Sequence, residues 1–139
     1  MAQASENPGA REGDIDWRSI WIGCLVALAG TLALGGGLFL AYENLWWVAL
    51  AGLVSLLVGG FIAGFRAKTA EPLNGAFIAV FYFAFVVAIL FGGEVAGVLP
   101  EPLPGLPRGD STFFFVWPLE QLASATVGAA LGGWVSARR

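Results

Sequence analysis

The sequence predicts an all-α integral membrane protein, a four-helix bundle. Three observations lead there: four long apolar stretches, almost no charge inside them, and basic residues concentrated in alternate connections. Of 139 residues, 58% are hydrophobic and 12% charged. Soluble domains run nearer half apolar and about a quarter charged. A short chain in water could not bury so much apolar surface, whereas lipid solvates it directly.

The first segment, residues 1–19, is polar and carries four acids against Arg11 and Arg18. A secretory signal begins with a basic stretch and a short apolar run. Here the tail is acidic and the following run is far longer. Residues 1–19 are therefore expected to be a polar cytoplasmic tail before a retained spanning helix.

The spans are expected at residues 20–42, 45–65, 73–93 and 112–137. The first three contain no Asp, Glu, Lys, Arg or His. At 1.5 Å per residue each is a little over ~30 Å long, matching the hydrocarbon core. Unpaired strand edges are excluded from lipid, so these stretches are helices. Glu43 and Asn44 leave room only for a tight turn, making the first two helices an antiparallel hairpin. Residues 66–72 form a short second connection. The third, 98–110, contains Pro100, Pro102, Pro104 and Pro107 and is expected to run extended, as a stiff spacer or a recognition segment.

Orientation follows from the basic residues. Arg11, Arg18, Arg66, Lys68, Arg138 and Arg139 fall on one side of a four-span chain, and Arg108 alone on the other. Cytoplasmic connections are enriched in Lys and Arg, so both termini are expected in the cytoplasm. Trp17, Trp21 and Trp134 fall at that end and Trp46, Trp47 and Trp117 at the other, the headgroup levels that amphipathic rings prefer.

Small residues recur every fourth position. One helix carries Ser124, Gly128, Gly132 and Ser136 beside Ala125, Ala129, Gly133 and Ala137. Another carries Ser55, Gly59 and Ala63 beside Gly60 and Gly64, and the first carries Gly23, Ala27, Thr31 and Gly35. Such stripes let helix backbones approach, the main source of helix association in lipid. They suit packing within one bundle; a dimer face and a pore lining are the alternatives. Gly35, Gly36 and Gly37 form either a flexible point or a close contact. Phe77, Phe81 and Phe85 share one face, a packing or lipid-facing stripe.

Residues 59–66, GGFIAGFR, echo residues 132–139, GGWVSARR, 73 positions on. The echo fits two repeated helical hairpins, and equally fits the glycines and arginines on which any spanning helix can end.

Glu120, with Gln121 beside it, is the one charged group inside a span. An intramembrane carboxylate is a candidate for transport or partner contact. If the helix starts at Pro118, Glu120 lies in its first turn, near the headgroups and favoured by the helix dipole. If it starts near Thr112, Pro118 lies inside the helix and Glu120 sits deeper.

No motif carries catalytic chemistry. There is no histidine and a single cysteine, Cys24, which leaves no zinc ligand set, no internal disulfide and no common general base. Gly59, Gly60 and Gly64 lie inside a span rather than after a strand, so they are not a dinucleotide loop. A net charge of −3 gives no attraction to nucleic acid. No cofactor or metal is expected. The expected partners are the lipid bilayer and a second copy or another membrane protein.

The segment GGFIAGFRAKTAEPLNGAFIAVF, residues 59–81, resembles a group of small four-helix bacterial inner-membrane proteins. In that group a glycine pair ends helix two and a basic loop leads to an Asn-Gly-Ala or His-Gly-Ala start of helix three. The glycine pair ending helix four also fits. The resemblance implies topology and a bacterial inner-membrane setting and carries over no site residue. The functions expected are, first, a non-enzymatic bundle acting through helix contacts, as an oligomer or accessory subunit. The second is a small ion- or proton-coupled transporter or channel using Glu120.

Overall fold

The computed structural model describes residues 15–67, 72–99 and 111–138. The tail 1–14 and the proline-rich stretch 100–110 lie outside the described residues, as do 68–71 and 139. The described chain is all-helical and folds as a four-helix bundle.

Helix α1 runs over Trp17–Tyr42 and contains a π-helical turn at Thr31–Gly35. It starts three residues before the apolar run because Asp16 caps it. The Asp16 carboxylate accepts the backbone N–H groups of Arg18 and Ser19 at 3.1 and 3.2 Å and the Ser19 hydroxyl at 2.5 Å. These bonds satisfy donors that a helix start leaves unpaired. The π turn inserts extra backbone and widens the helix locally.

The turn after α1 is as tight as expected. Glu43 takes a left-handed conformation, φ 49°, and Asn44 accepts the Trp46 N–H at 2.9 Å through its side-chain oxygen. Helix α2 then runs over Leu45–Ala67. Helix α3, Pro72–Val95, opens on a proline, whose missing N–H costs nothing there. It closes on Gly97 at φ 66°, with Gly97 N–H donating to Glu94 O at 3.0 Å and Val98 N–H to Gly93 O at 2.9 Å. That pair of bonds is a Schellman cap, which needs the left-handed glycine. Helix α4 runs over Ser111–Ala137 with Pro118 inside it.

Paired contacts fix the directions. Gly23 meets Gly59, Gly30 meets Ser55 and Gly35 meets Val48, so α1 and α2 are antiparallel. Gly60 meets Ala125, Gly128 meets Leu57 and Gly132 meets Phe61, so α2 and α4 are parallel. Gly75 meets Ala125 while Phe83 meets Trp117, so α3 and α4 are antiparallel. Around the bundle the order is α1, α2, α4, α3; α2 also touches α3, while α1 and α4 do not meet among the described residues. Helix α2 is the central element, with Ala49, Ala51, Gly52, Ser55, Leu56, Gly59, Gly60, Ala63 and Gly64 all buried.

Helices α1, α2 and α3 are long and apolar enough to cross a membrane, which marks this as a membrane protein. Helix α4, at 27 residues, has the length. Pro118, Glu120, Gln121 and Ser124 make it the least apolar of the four. The bundle has two distinct ends. Arg18, Arg66 and Arg138 gather with Trp17, Trp21 and Trp134 at one, called here the Arg66 end. Trp46, Trp47 and Trp117 mark the other, the Leu45 end.

Candidate functional site

The small-residue stripes are used inside the bundle. At the α2–α4 crossing, Gly60 lies against the Ala125 carbonyl and Gly64 against that of Ala129. Reciprocally, Gly128 lies on the Leu57 carbonyl and Gly132 on that of Phe61. Gly59 lies against the Gly23 carbonyl of α1, and Gly133 is buried. Each helix of the parallel pair thus offers a Gly-x-x-x-Gly motif, so the two backbones touch. The crossing is two-fold symmetric: Gly60 corresponds to Gly128 and Gly64 to Gly132, 68 positions apart. The echo spaced by 73 is out of step with it, because contact depth rather than the helix ends sets the register.

The three phenylalanines of α3 form a packing surface. Phe77 lies 5.4 Å from Trp17 between ring centroids, and Phe81 stacks on Trp21 at 5.1 Å.

Glu120 and Gln121 part company. Gln121 is only 1% exposed, whereas Glu120 is exposed on the outside of the bundle. Neighbouring helical residues differ by about 100° in direction, which suffices to put one inside and one outside. Helix α4 starts at Ser111, so Glu120 is not in its first turn and gains nothing from the helix dipole. It is nevertheless shallow. Ser124 donates its hydroxyl to Leu53 O at 2.7 Å, which ties the depth of α4 to α2. Glu120 is level with the first turns of α2 and one turn, about 4.5 Å, deeper than Trp117.

The interior holds a polar cluster that the sequence reading passed over. Thr31, at the start of the π turn, donates its hydroxyl to Ala27 O at 2.8 Å and lies 2.8 Å from the Tyr82 hydroxyl. Thr31 has one hydroxyl hydrogen and spends it on Ala27, so Tyr82 is the donor in their bond. Both oxygens keep lone pairs and no free hydrogen. Gly52 makes room for this cluster: a methyl there would stand 2.6 Å from the Tyr82 hydroxyl and 3.8 Å from Gln121 Nε2. Among the described residues, both ends of the buried Gln121 amide lack a partner, as do both ends of Asn74 and the Ser55 hydroxyl. The signal was available: Thr31, Tyr82 and Asn74 are hydrogen-bonding residues inside spans that carry no charge.

Two adjacent cavities lie beside this cluster toward the Leu45 end. The larger, about 170 Å³, is walled by Leu28, Leu32, Phe39, Val86, Ile89 and Leu90. The smaller, about 40 Å³, has Thr31 and Tyr82 on its floor and Trp117 on its side. They share Thr31, Leu45, Val48, Val86 and Leu90. No charged side chain lines either one among the described residues.

Fold and site together define the class: an all-α membrane protein with a glycine-zipped core and a small uncharged polar cluster near one end. The chain matches no known protein family, no curated protein and no solved structure.

Proposed function

We propose that this is a four-span protein of a bacterial inner membrane, without catalytic activity, that works through helix contacts with its own copies or as an accessory subunit. The outward Glu120 carries the reading. A carboxylate at the centre of a spanning helix costs about 2.5–3.5 kcal/mol, less near the headgroups. Facing its own core, Glu120 would belong to an internal path. Facing outward, it is placed to meet a polar group on another membrane-embedded chain. The exposed face of α1 supports the same reading, since Ala29, Ala33, Gly37 and Ala41 recur at fourfold spacing and are all exposed among the described residues. The Arg66 end carries the basic residues and is assigned to the cytoplasm with both termini. An ion- or proton-coupled carrier built on Glu120 is the weaker alternative, because that side chain lies away from the interior cavities.

The test is native mass spectrometry of the full chain released from lipid nanodiscs, with Glu120→Gln and Glu120→Leu alongside. An oligomer or a stoichiometric membrane partner is expected for the native chain and is depleted for Glu120→Leu. A strict monomer that brings no partner in any form overturns the reading.

A further inference from the structure

We propose that the paired cavities at the Leu45 end form a binding site for an uncharged long-chain alcohol, its hydroxyl on the Thr31–Tyr82 floor and its hydrocarbon chain in the apolar cavity between α1 and α3.

The two volumes suit two different parts of one molecule. A water needs roughly 10–15 Å³ of such space. The smaller cavity, about 40 Å³, therefore takes one small polar group, and the adjoining 170 Å³ takes several methylenes. The larger cavity opens beside Gly36, where nothing lies within 4 Å of a side-chain position. The π turn over Thr31–Gly35 swings this part of α1 out of regular register, and such turns occur often at functional sites.

The chemistry of the floor selects the head. With the Thr31 hydrogen on Ala27 O and the Tyr82 hydrogen on Thr31, the floor offers lone pairs only. It reads a donor. Ketones, ethers and esters bring none. An ammonium head brings donors, but no carboxylate lines the cavities to offset its desolvation. A carboxylate head meets the same penalty and repels the lone pairs. Among neutral heads that can donate, a hydroxyl is the smallest and suits the smaller cavity of about 40 Å³.

Gln121 supplies a second argument. Its amide is 1% exposed, with donor and acceptor both unpartnered, and lies behind the floor, across Gly52 from the Tyr82 hydroxyl. Such a group in a dry interior is costly. An alcohol that donates to Tyr82 leaves its own oxygen free to accept, so the polar groups around Gly52 gain an acceptor on the cavity side. Gln121 itself lines neither cavity.

The experiment uses the full chain in phosphatidylcholine nanodiscs and a diazirine-tagged hexadecanol, with labelled peptides read by mass spectrometry. Labelling is expected on α1 and α3 around the larger cavity. Excess hexadecanol should suppress it roughly fivefold better than its methyl ether or hexadecane, the worth of one net hydrogen bond. Tyr82→Phe keeps the ring and should erase that preference. Gly36→Phe starts from a position where an added Cβ meets nothing within 4 Å among the described residues, and it should remove the labelling without lowering the unfolding midpoint. Equal suppression by alcohol, ether and alkane overturns the proposal, as does unchanged labelling in Gly36→Phe. An unlabelled site that holds water alone also overturns it. None of these outcomes bears on the oligomeric state, so the two readings fail separately.

Discussion

A methyl group added at Gly64 tests how the core is held. A side-chain carbon there would lie inside van der Waals contact with the Ala129 backbone, 2.8 Å from its carbonyl carbon and 2.9 Å from its Cα. Ordinary carbon contacts are about 3.5–4.0 Å, and the opposing atoms are backbone, so no side chain can turn away. Helices α2 and α4 must part by about 0.5–1 Å. A gap of that size forfeits roughly a quarter to a half of each contact's attraction, and Gly60, Gly128 and Gly132 on the same seam lose contact with it. Overpacking costs about 1–3 kcal/mol, and the backbone-on-backbone geometry places Gly64→Ala near the upper end. Alanine returns about 1 kcal/mol of helix propensity. The net expectation is a loss of about 1–2 kcal/mol, and roughly 3 kcal/mol or more for Gly64→Leu. Gly92→Ala is the control, because nothing lies within 4 Å of that position among the described residues. It keeps the propensity term alone and should gain up to about 1 kcal/mol. Reversible unfolding in mixed micelles, titrated with dodecyl sulfate and followed by circular dichroism, measures both. The reasoning is refuted if Gly64→Ala is as stable as the native chain or more so, or if the two substitutions shift stability in the same direction.

Two further outcomes follow from the helix ends. Hydrogen bonds from the Ser19 hydroxyl and from the Ser19 and Arg18 backbone, with a contribution from Arg66, hold the Asp16 carboxyl below the usual aspartate range. A depressed folded pKa means the stabilisation is complete at neutral pH and is lost as pH falls through that lowered value. Asp16→Ala should therefore cost about 1 kcal/mol at pH 7, the usual worth of a cap. The gap from the native chain should hold to about pH 4 and close below it; a gap that widens on acidification contradicts this account. Glu43, held at φ 49°, bears the steric cost of the left-handed region. Glu43→Gly should raise the unfolding midpoint by the equivalent of about 1 kcal/mol, and a lowered midpoint in the same titration would show that its side chain matters more than its backbone.

The sequence alone determined the solvent and the elements. Long charge-free runs point to lipid rather than water as the medium for α1, α2 and α3, and the same runs place four helices with ends at most three residues from those observed. It also marked the glycines as contact surface, since a stripe of small residues has little other use in lipid. Tertiary structure decided which backbones the glycines meet. Gly60 pairing with Ala125 and Gly128 with Leu57 depends on the depth at which α2 and α4 cross, and local pattern carries no depth. It also decided that Gln121 faces in and Glu120 out, because the direction of α4 around its own axis is set by the seam with α2. The bond between Thr31 and Tyr82 joins residues 51 apart on parallel helices. Only the packing of α1 beside α3, with the π turn of α1 beginning at Thr31, brings those two hydroxyls to one place.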